Sequence, residues 1–202
     1  MWWLAWPTSP LTFLAFLAFV PLLFIEQSTT SNRQFLRLAY VHMLVWNAGT
    51  TWWIYNASFA GAALAIVLNS LLMCVPWLLM RRIKKSFGRV AGYAALISFW
   101  ISFEAIHQSW ELSWPWLTLG NVFAVHPKWI QWYEFTGTSG GSVWILTCNV
   151  ILFLAITGYR QYVVLKKLRP LVIALLLLVS IPLFVSYAIY KKQETALVTN
   201  SS

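Results

Sequence analysis

Repeated long apolar runs constrain this chain more than any other feature of its sequence. The five clearest runs are Phe35–Tyr55, Phe59–Met80, Val90–Ser109, Ser142–Gln161 and Leu171–Tyr190. A helix needs roughly 20 apolar residues to cross the hydrocarbon core of a bilayer, and each run has about that length. Only 9% of the residues are charged, and the intervening segments are too short for a soluble domain. The sequence therefore predicts an all-α, polytopic transmembrane helical bundle with five full spans.

The N-terminal apolar stretch is interrupted by two prolines, Pro7 and Pro10. Two prolines cannot lie in one helix interior without kinking or ending it. We therefore predict a stub over Trp2–Trp6 and a short helix over Leu11–Ile25. A signal peptide is the alternative interpretation. It is disfavoured because no basic residue precedes the apolar run and no small-residue cleavage site follows it.

Basic residues are distributed unevenly among the segments that join the runs. They cluster near residues 33, 85 and 165, whereas the long stretch between 110 and 141 contains a single lysine. Cytoplasmic loops of membrane proteins carry the excess of Lys and Arg. The three basic loops are therefore predicted to be cytoplasmic and the C-terminus to be outside. The same distribution explains the net charge of +9 without a nucleic-acid partner.

Most of the 14 tryptophans fall at or near the outer face in this topology. Those predicted to lie there are Trp2, Trp3, Trp6, Trp52, Trp53, Trp110, Trp114, Trp116, Trp129, Trp132 and Trp144. Tryptophan belts normally occur at both interfaces of a membrane. The asymmetry is explained either by a thick outer belt or by an outer-leaflet surface that holds lipid or a partner domain.

An acidic residue near the outer end of a predicted span marks the most informative region. Glu104, His107 and Glu111 recur at helical spacing, which predicts that they share one helix face. Ionisable residues within membrane spans are costly and by default mark a function or a paired structural role. A Glu104–His107 pair that merely fixes helix packing is the structural alternative.

The following segment combines a helix break with several glycines. Trp114-Pro115-Trp116-Leu117 predicts that the helix ends and that two tryptophans lie at the outer interface. Gly120 permits a tight return of the chain, and Gly137 and Gly140 allow the backbone to approach its neighbours closely. Asn149, inside the next span, requires a hydrogen-bond partner if it is buried.

This pattern resembles the membrane domain of bacterial apolipoprotein N-acyltransferases. That family has a Glu in this span, followed by a Pro-Trp-Leu motif and a glycine at the spacing of Glu104, Pro115 and Gly120. Further matches to the family pattern are Gln131, Gly137, Gly140, Ser142, Asn149, Trp53-Ile54-Tyr55, Leu4-Ala5-Trp6-Pro7 and Phe19-Val20-Pro21-Leu22-Leu23. The chain departs from the family at His107, where Arg is usual, and at Ser113, where Gly is usual.

The resemblance implies a function and a set of site residues. The family transfers an acyl chain from a phospholipid to the N-terminal cysteine amine of a diacylated apolipoprotein. The implied lipid-positioning residues are Trp116, Pro115, Glu104, His107, Trp114 and Gln131, and the implied structural motif is Gly120, Gly137, Gly140, Ser142 and Asn149. Family catalysis uses the Glu–Lys–Cys triad of a periplasmic nitrilase-like domain that follows the last span.

Several expectations about the chain follow from this resemblance. Residues 1–192 are expected to be the transmembrane domain, and residues 193–202 an outward-facing tail where the catalytic domain would start. The chain is expected to lie in the bacterial inner membrane, to contain no catalytic residue, and to bind no metal or cofactor. Cys74 and Cys148 are expected to be buried packing residues, so the isolated chain should be inactive.

Two other functions are compatible with a helical membrane chain. The first is a stand-alone membrane scaffold or lipid-binding module without catalytic activity. The second is a small transporter, which the absence of internal repeats and the scarcity of charges within the spans disfavour.

Overall fold

The computed structural model describes residues 1–111, 113–162 and 165–200, with side chains described outside 159–168 and 197–200. The α-helices are α1 Trp2–Ala5, α2 Val20–Ser28, α3 Asn32–Thr51, α4 Phe59–Leu72, α5 Val75–Ser109, α6 Tyr133–Tyr162 and α7 Leu165–Asn200. Short 3-10 turns occupy Thr12–Phe16, Trp52–Asn56, Pro115–Leu117, Leu119–Val125 and Pro127–Trp129. No strand occurs in the described residues, and the predicted all-α class is confirmed.

Three helical segments of the described chain are long and apolar enough to cross a membrane. They are Phe59–Ser109, Tyr133–Gly158 and Arg169–Ala196. The predicted count of five spans is not confirmed. Helix α3 has 20 residues but carries Arg33, Arg37 and other polar side chains, which make it less apolar than these three segments.

The segment Phe59–Ser109 contains two of the predicted spans because the chain reverses direction within α5. Gly88 has φ 88°, a left-handed conformation that favours glycine. A Cβ added at Gly92 would collide with Lys84, and the Lys84 ammonium lies 5.3 Å from the centre of the Tyr93 ring. In a continuous helix residues 84 and 92 would be about 12 Å apart along the axis. The basic residues therefore lie in a helical hairpin instead of the predicted loop.

The predicted span Phe59–Met80 is also interrupted. Helix α4 ends at Leu72, and α5 starts at Val75 with Pro76 in its first turn. Proline has no N–H to donate to the carbonyl of Leu72, so a new helix starts there more readily than the old one continues.

The N-terminal break predicted at the two prolines is confirmed, but the helix predicted after it is divided into a 3-10 turn and α2. Asn149 of α6 bridges the division. Its side-chain amide donates to the carbonyl of Ala15 and accepts from the N–H of Phe19, both at 2.8 Å. The buried Asn149 thus has the hydrogen-bond partners that its position required, and it satisfies backbone groups released by the break.

The centre of the bundle is an aromatic cluster. The rings of Trp2, Trp46, Trp77 and Trp100 surround Phe19, with centroid distances to it from 4.6 to 5.8 Å. Trp2 is only 3% exposed and stacks on Trp46 at 4.3 Å. The indole of Trp2 therefore packs into the core and does not contribute to an exposed aromatic belt.

Helix α7 is joined to the bundle at Pro182. A proline cannot donate to the carbonyl four residues earlier, which belongs to Leu178. The indole N–H of Trp144 donates to that carbonyl at 2.7 Å. One helical turn later, the Ser186 hydroxyl donates to the carbonyl of Trp129 at 2.7 Å. The helix then continues through residues 193–200 without a break, while residues 201 and 202 of the predicted tail lie outside the described residues.

Candidate functional site

Glu104 is the centre of the candidate site. It lies in the last part of α5 and is 4% exposed. Its Oε1 accepts a hydrogen bond of 2.9 Å from the indole N–H of Trp100 and one of 2.8 Å from the backbone N–H of Leu119. The second oxygen, Oε2, is buried and has no hydrogen-bond partner in the described part of the chain. The carboxyl group thus attaches the segment after the Pro-Trp-Leu motif to α5 and leaves one acceptor for another polar group.

The Pro-Trp-Leu motif forms a compact turn where α5 ends. The N–H of Trp114 donates to the carbonyl of His107 at 3.0 Å, and the N–H of Thr118 donates to the carbonyl of Pro115 at 3.2 Å. The side chain of Asn121 donates to the same Pro115 carbonyl at 3.1 Å. These hydrogen bonds hold the turn at both ends, and α5 ends at Ser109, before the turn, as the proline predicted.

Two of the predicted motif residues, Gly120 and Ser142, join this turn to the start of α6. The N–H of Gly120 donates to the Ser142 hydroxyl at 3.0 Å, and its carbonyl accepts from the Tyr133 hydroxyl at 3.0 Å. A Cβ at Gly120 would collide with the backbone carbonyl of Thr138. A side chain is therefore excluded at this position, where the sequence predicted only a tight return of the chain.

The other two predicted glycines shape the start of α6. Gly137 has φ 62°, a conformation that favours glycine, and the chain turns there. A Cβ at Gly140 would collide with the side chains of Thr136 and Trp132. The two glycines thereby allow the first turn of α6, residues 133–136, to fold back against the rest of the helix.

His107 does not form the expected pair with Glu104. Its Nε2 lies 2.9 Å from Oδ1 of Asn69 in α4. The amide of Asn69 in turn donates to Oδ1 of Asn47 in α3 at 2.7 Å. Because the amide oxygen of Asn69 can only accept, His107 donates from Nε2 in this arrangement. Glu111 lies beyond the end of α5 and is exposed, so it does not share the predicted face.

Asn47 and Asn69 were not predicted as site residues. The available signal was the presence of two asparagines inside apolar runs, where polar side chains hydrogen-bond between helices. Their partners were not evident, because the three side chains come from three different helices. The resulting chain of hydrogen bonds fixes α3, α4 and α5 relative to one another.

An apolar groove opens beside this chain of hydrogen bonds. It has a volume of about 240 Å³. Its lining residues are Gly61, Leu64, Ala65, Leu68, Asn69, Leu72, His107, Ser113 and Trp114. The leucines of α4 supply one apolar wall, and the indole of Trp114 faces them. A groove of this composition suits a hydrocarbon chain.

A second cavity, of about 540 Å³, has Trp116 in its lining. Tryptophans line much of it, namely Trp3, Trp6, Trp52, Trp53 and Trp116. The ring of Trp116 meets that of Trp53 edge to face at 5.6 Å, and Trp116 remains 53% exposed. The Pro-Trp-Leu turn therefore presents Trp114 to the apolar groove and Trp116 to the tryptophan-lined cavity.

The structure separates Gln131 from these residues. Its side-chain amide donates to the carbonyl of Pro127 at 2.8 Å, within its own turn. The cysteines Cys74 and Cys148 are free and buried, as predicted for packing residues. Neither cysteine lines the groove or the tryptophan-lined cavity.

The sequence is similar to one family of known proteins. The family model for the apolipoprotein N-acyltransferase N-terminal domain matches residues 1–151. The apolipoprotein N-acyltransferase of Chlorobaculum tepidum is 30% identical over 196 residues, which are 97% of this chain and 36% of that protein. That of Geobacter metallireducens is 28% identical over 165 residues, 77% of this chain and 32% of that protein. The chain thus spans about a third of the length of these relatives. No solved structure matches it.

Proposed function

Because this chain belongs to the apolipoprotein N-acyltransferase family, we propose that it acts as the membrane domain of phospholipid-to-apolipoprotein acyl transfer. In this proposal it lies in the bacterial inner membrane. It holds the acyl chain and the lipoprotein at the outer leaflet for a periplasmic, nitrilase-like catalytic domain. That domain supplies the nucleophilic cysteine, which attacks the phospholipid ester, so that a thioester forms, the ester C–O bond breaks and the lysophospholipid leaves. The lipoprotein amine then accepts the acyl group.

The energetics of the lipid explain why such a reaction needs a membrane domain. Each buried CH₂ group contributes about 0.8 kcal/mol, so a chain of about 16 carbons is held in the bilayer by roughly 12 kcal/mol. Transfer of that chain into water would prevent the reaction. The acyl chain must remain in an apolar groove while its ester reaches the aqueous interface.

The observation that carries this proposal is the position of the Pro-Trp-Leu turn between two cavities. The turn is attached to the bundle by the hydrogen bond between Glu104 and Leu119. On one side, Trp114 lines the groove with the leucines of α4. On the other, Trp116 lines the tryptophan-rich cavity. An acyl chain in the groove would have its ester near this turn.

A chimera tests the proposal. The 202 residues of this chain would replace the matching third of the Chlorobaculum tepidum relative, whose remaining part supplies the rest of that enzyme. We expect the chimera to transfer an acyl group from phospholipid to a diacylated lipoprotein peptide. Membrane insertion and thermal unfolding of the chimera serve as the folding control. A folded, inserted chimera without transfer would contradict the proposal.

The stand-alone scaffold remains the second candidate, because the described part of the chain provides cavities but no exposed cysteine. The DNA that follows the codon for Ser202 distinguishes the two. An in-frame nitrilase-like sequence with Glu, Lys and Cys supports the acyltransferase. A stop codon at that point supports the scaffold.

A further inference from the structure

A cationic groove lies at the end of the bundle opposite Glu104. Its volume is about 1160 Å³, and one acidic residue, Glu26, is among its lining residues. The basic residues that line it are Arg33, Arg81, Arg82, Lys84, Lys85 and Arg89. The helix over residues 89–109 runs from this groove to the candidate site and is about 30 Å long. The groove and the tryptophan-lined cavity are therefore separated by about the thickness of a hydrocarbon core.

Two of the six cations build the wall of the groove. Arg81 donates to the carbonyls of Glu26 and Thr29, each at 2.9 Å. The Lys84 ammonium lies 2.5 Å from Oε2 of Glu26. These contacts attach the connection between α2 and α3 to the helical hairpin. They also neutralise the one carboxylate that lines the groove.

The other four cations have no anionic partner among the residues that the structure describes. Arg33, Arg82, Lys85 and Arg89 are exposed, and none of the hydrogen bonds or ion pairs among the described residues involves them. Like charges that face one cavity repel each other. A bound anion would remove this repulsion, and the groove is large enough to admit one.

The surroundings of the groove indicate which kind of anion it accepts. Leu36, Leu78 and Leu79 line it beside the cations. At the tip of the hairpin, Phe87 is 74% exposed and Val90 is 85% exposed. An anion that carries hydrocarbon chains would use both surfaces, whereas a free phosphate would use only the cations.

We propose that this groove binds the phosphodiester headgroup of an anionic phospholipid from the adjacent leaflet. Basic pockets between membrane helices bind such headgroups. The bound lipid would act as a structural ligand of the helical hairpin. This lipid lies at the opposite end of the bundle from Trp116, so it is distinct from the acyl donor of the proposed function. Its binding can be measured without an acyl-transfer assay.

Native mass spectrometry of the 202-residue chain tests this inference. The chain is released from micelles that contain equal amounts of phosphatidylglycerol and phosphatidylcholine. We expect selective retention of phosphatidylglycerol. The variant R82Q/K85Q should lose affinity for it by on the order of tenfold, because each basic residue near the surface contributes to the binding of anionic lipid. The matched control is K191Q/K192Q, which removes the same charge from the exposed end of α7 and should retain the lipid.

The outcomes separate the possible explanations. Equal retention of both lipids by the wild-type chain would overturn the inference, as would full retention by R82Q/K85Q. Thermal unfolding in micelles adds a second measurement, with phosphatidylglycerol or inorganic phosphate as the ligand. Stabilisation by the lipid alone supports the inference, and equal stabilisation by inorganic phosphate would overturn the assignment to lipid. Because the substituted side chains are exposed, we expect both variants to fold. Circular dichroism verifies this.

Discussion

The backbone N–H of Leu119 donates a hydrogen bond of 2.8 Å to Oε1 of Glu104, a residue 15 positions earlier in the chain. Because Glu104 lies on a long helix and Leu119 directly follows the Pro-Trp-Leu turn, this bond fixes the turn to the bundle. The carboxylate accepts a second bond from Trp100, which belongs to the aromatic core. The position of Trp116 is thereby coupled to the aromatic core.

Removal of the Glu104 side chain should release the turn. In Glu104→Ala, the buried N–H groups of Leu119 and Trp100 lose their acceptor, and each unsatisfied group costs about 1–3 kcal/mol. We expect a lower thermal unfolding midpoint in micelles and faster hydrogen exchange over residues 115–125. Glu104→Gln retains a carbonyl oxygen as acceptor and serves as the control. Equal behaviour of the two variants would contradict this account.

Asn149 should be essential for the N-terminal segment. Asn149→Leu removes both hydrogen bonds to Ala15 and Phe19 and leaves two buried backbone groups unsatisfied, at about 1–3 kcal/mol each. We expect a lower stability and an increased protease sensitivity near the 3-10 turn Thr12–Phe16. Thr147→Ala, two residues away, is the control, because the Thr147 hydroxyl bonds only to the carbonyl of Val143 in its own helix. Equal stability of the two variants would show that the Asn149 bridge is dispensable.

The C-terminus is predicted to lie outside the cytoplasm. The prediction follows from the alternation of basic and non-basic connecting segments. A reporter that is active only in the periplasm should therefore be active when it is fused after Ser202. A reporter that is active only in the cytoplasm, fused at the same position, should be inactive. The reverse result would contradict both the topology and the proposed position of the catalytic domain.

The isolated chain is predicted to form no acyl-enzyme thioester. Cys148 is the cysteine whose predicted span starts outside, and it is fully buried among apolar neighbours. Reactive thiols need partial exposure and a nearby positive charge. Incubation with a labelled phospholipid should leave Cys148 unmodified, and Cys148→Ala should bind lipid as the wild type does. Detection of a labelled thioester that disappears in Cys148→Ala would show that the prediction is wrong.

Local sequence patterns predicted much of the fold. The all-α class followed from the apolar runs, and the N-terminal break followed from Pro7 and Pro10. The position of Asn149 inside an apolar run predicted that its side chain needs a hydrogen-bond partner. Each of these depends on backbone chemistry that acts within a few residues. The close approach at Gly140 was also predicted, because the lack of a Cβ is itself the signal.

The parts that could not be predicted depend on contacts between distant segments. The bond between Glu104 and Leu119 and that between His107 and Asn69 require the positions of separate helices and turns. Burial of Trp2 depends on the cluster that receives it, since the amphipathic indole suits both a core and an interface. The basic stretch from Arg81 to Arg89 was assigned to a loop because of its charges, but its backbone is helical up to the reversal at Gly88.

The central claim is that the Pro-Trp-Leu turn positions substrate through Trp116. Truncation of an aromatic anchor costs about 2 kcal/mol or more, which corresponds to a loss of activity of more than tenfold. Trp129→Ala is the control, because Trp129 lies in another turn, stacks on His126 at 4.2 Å and does not line the tryptophan-rich cavity.

The most direct measurement is acyl transfer by the active chimera carrying Trp116→Ala, compared with the chimera carrying Trp129→Ala. Folding of each variant is verified by its thermal unfolding midpoint. The account predicts at least about a tenfold loss of transfer for Trp116→Ala, with near-normal transfer for Trp129→Ala. Equal, near-normal activity of the two folded variants would contradict it and would leave Trp116 as an ordinary interfacial residue.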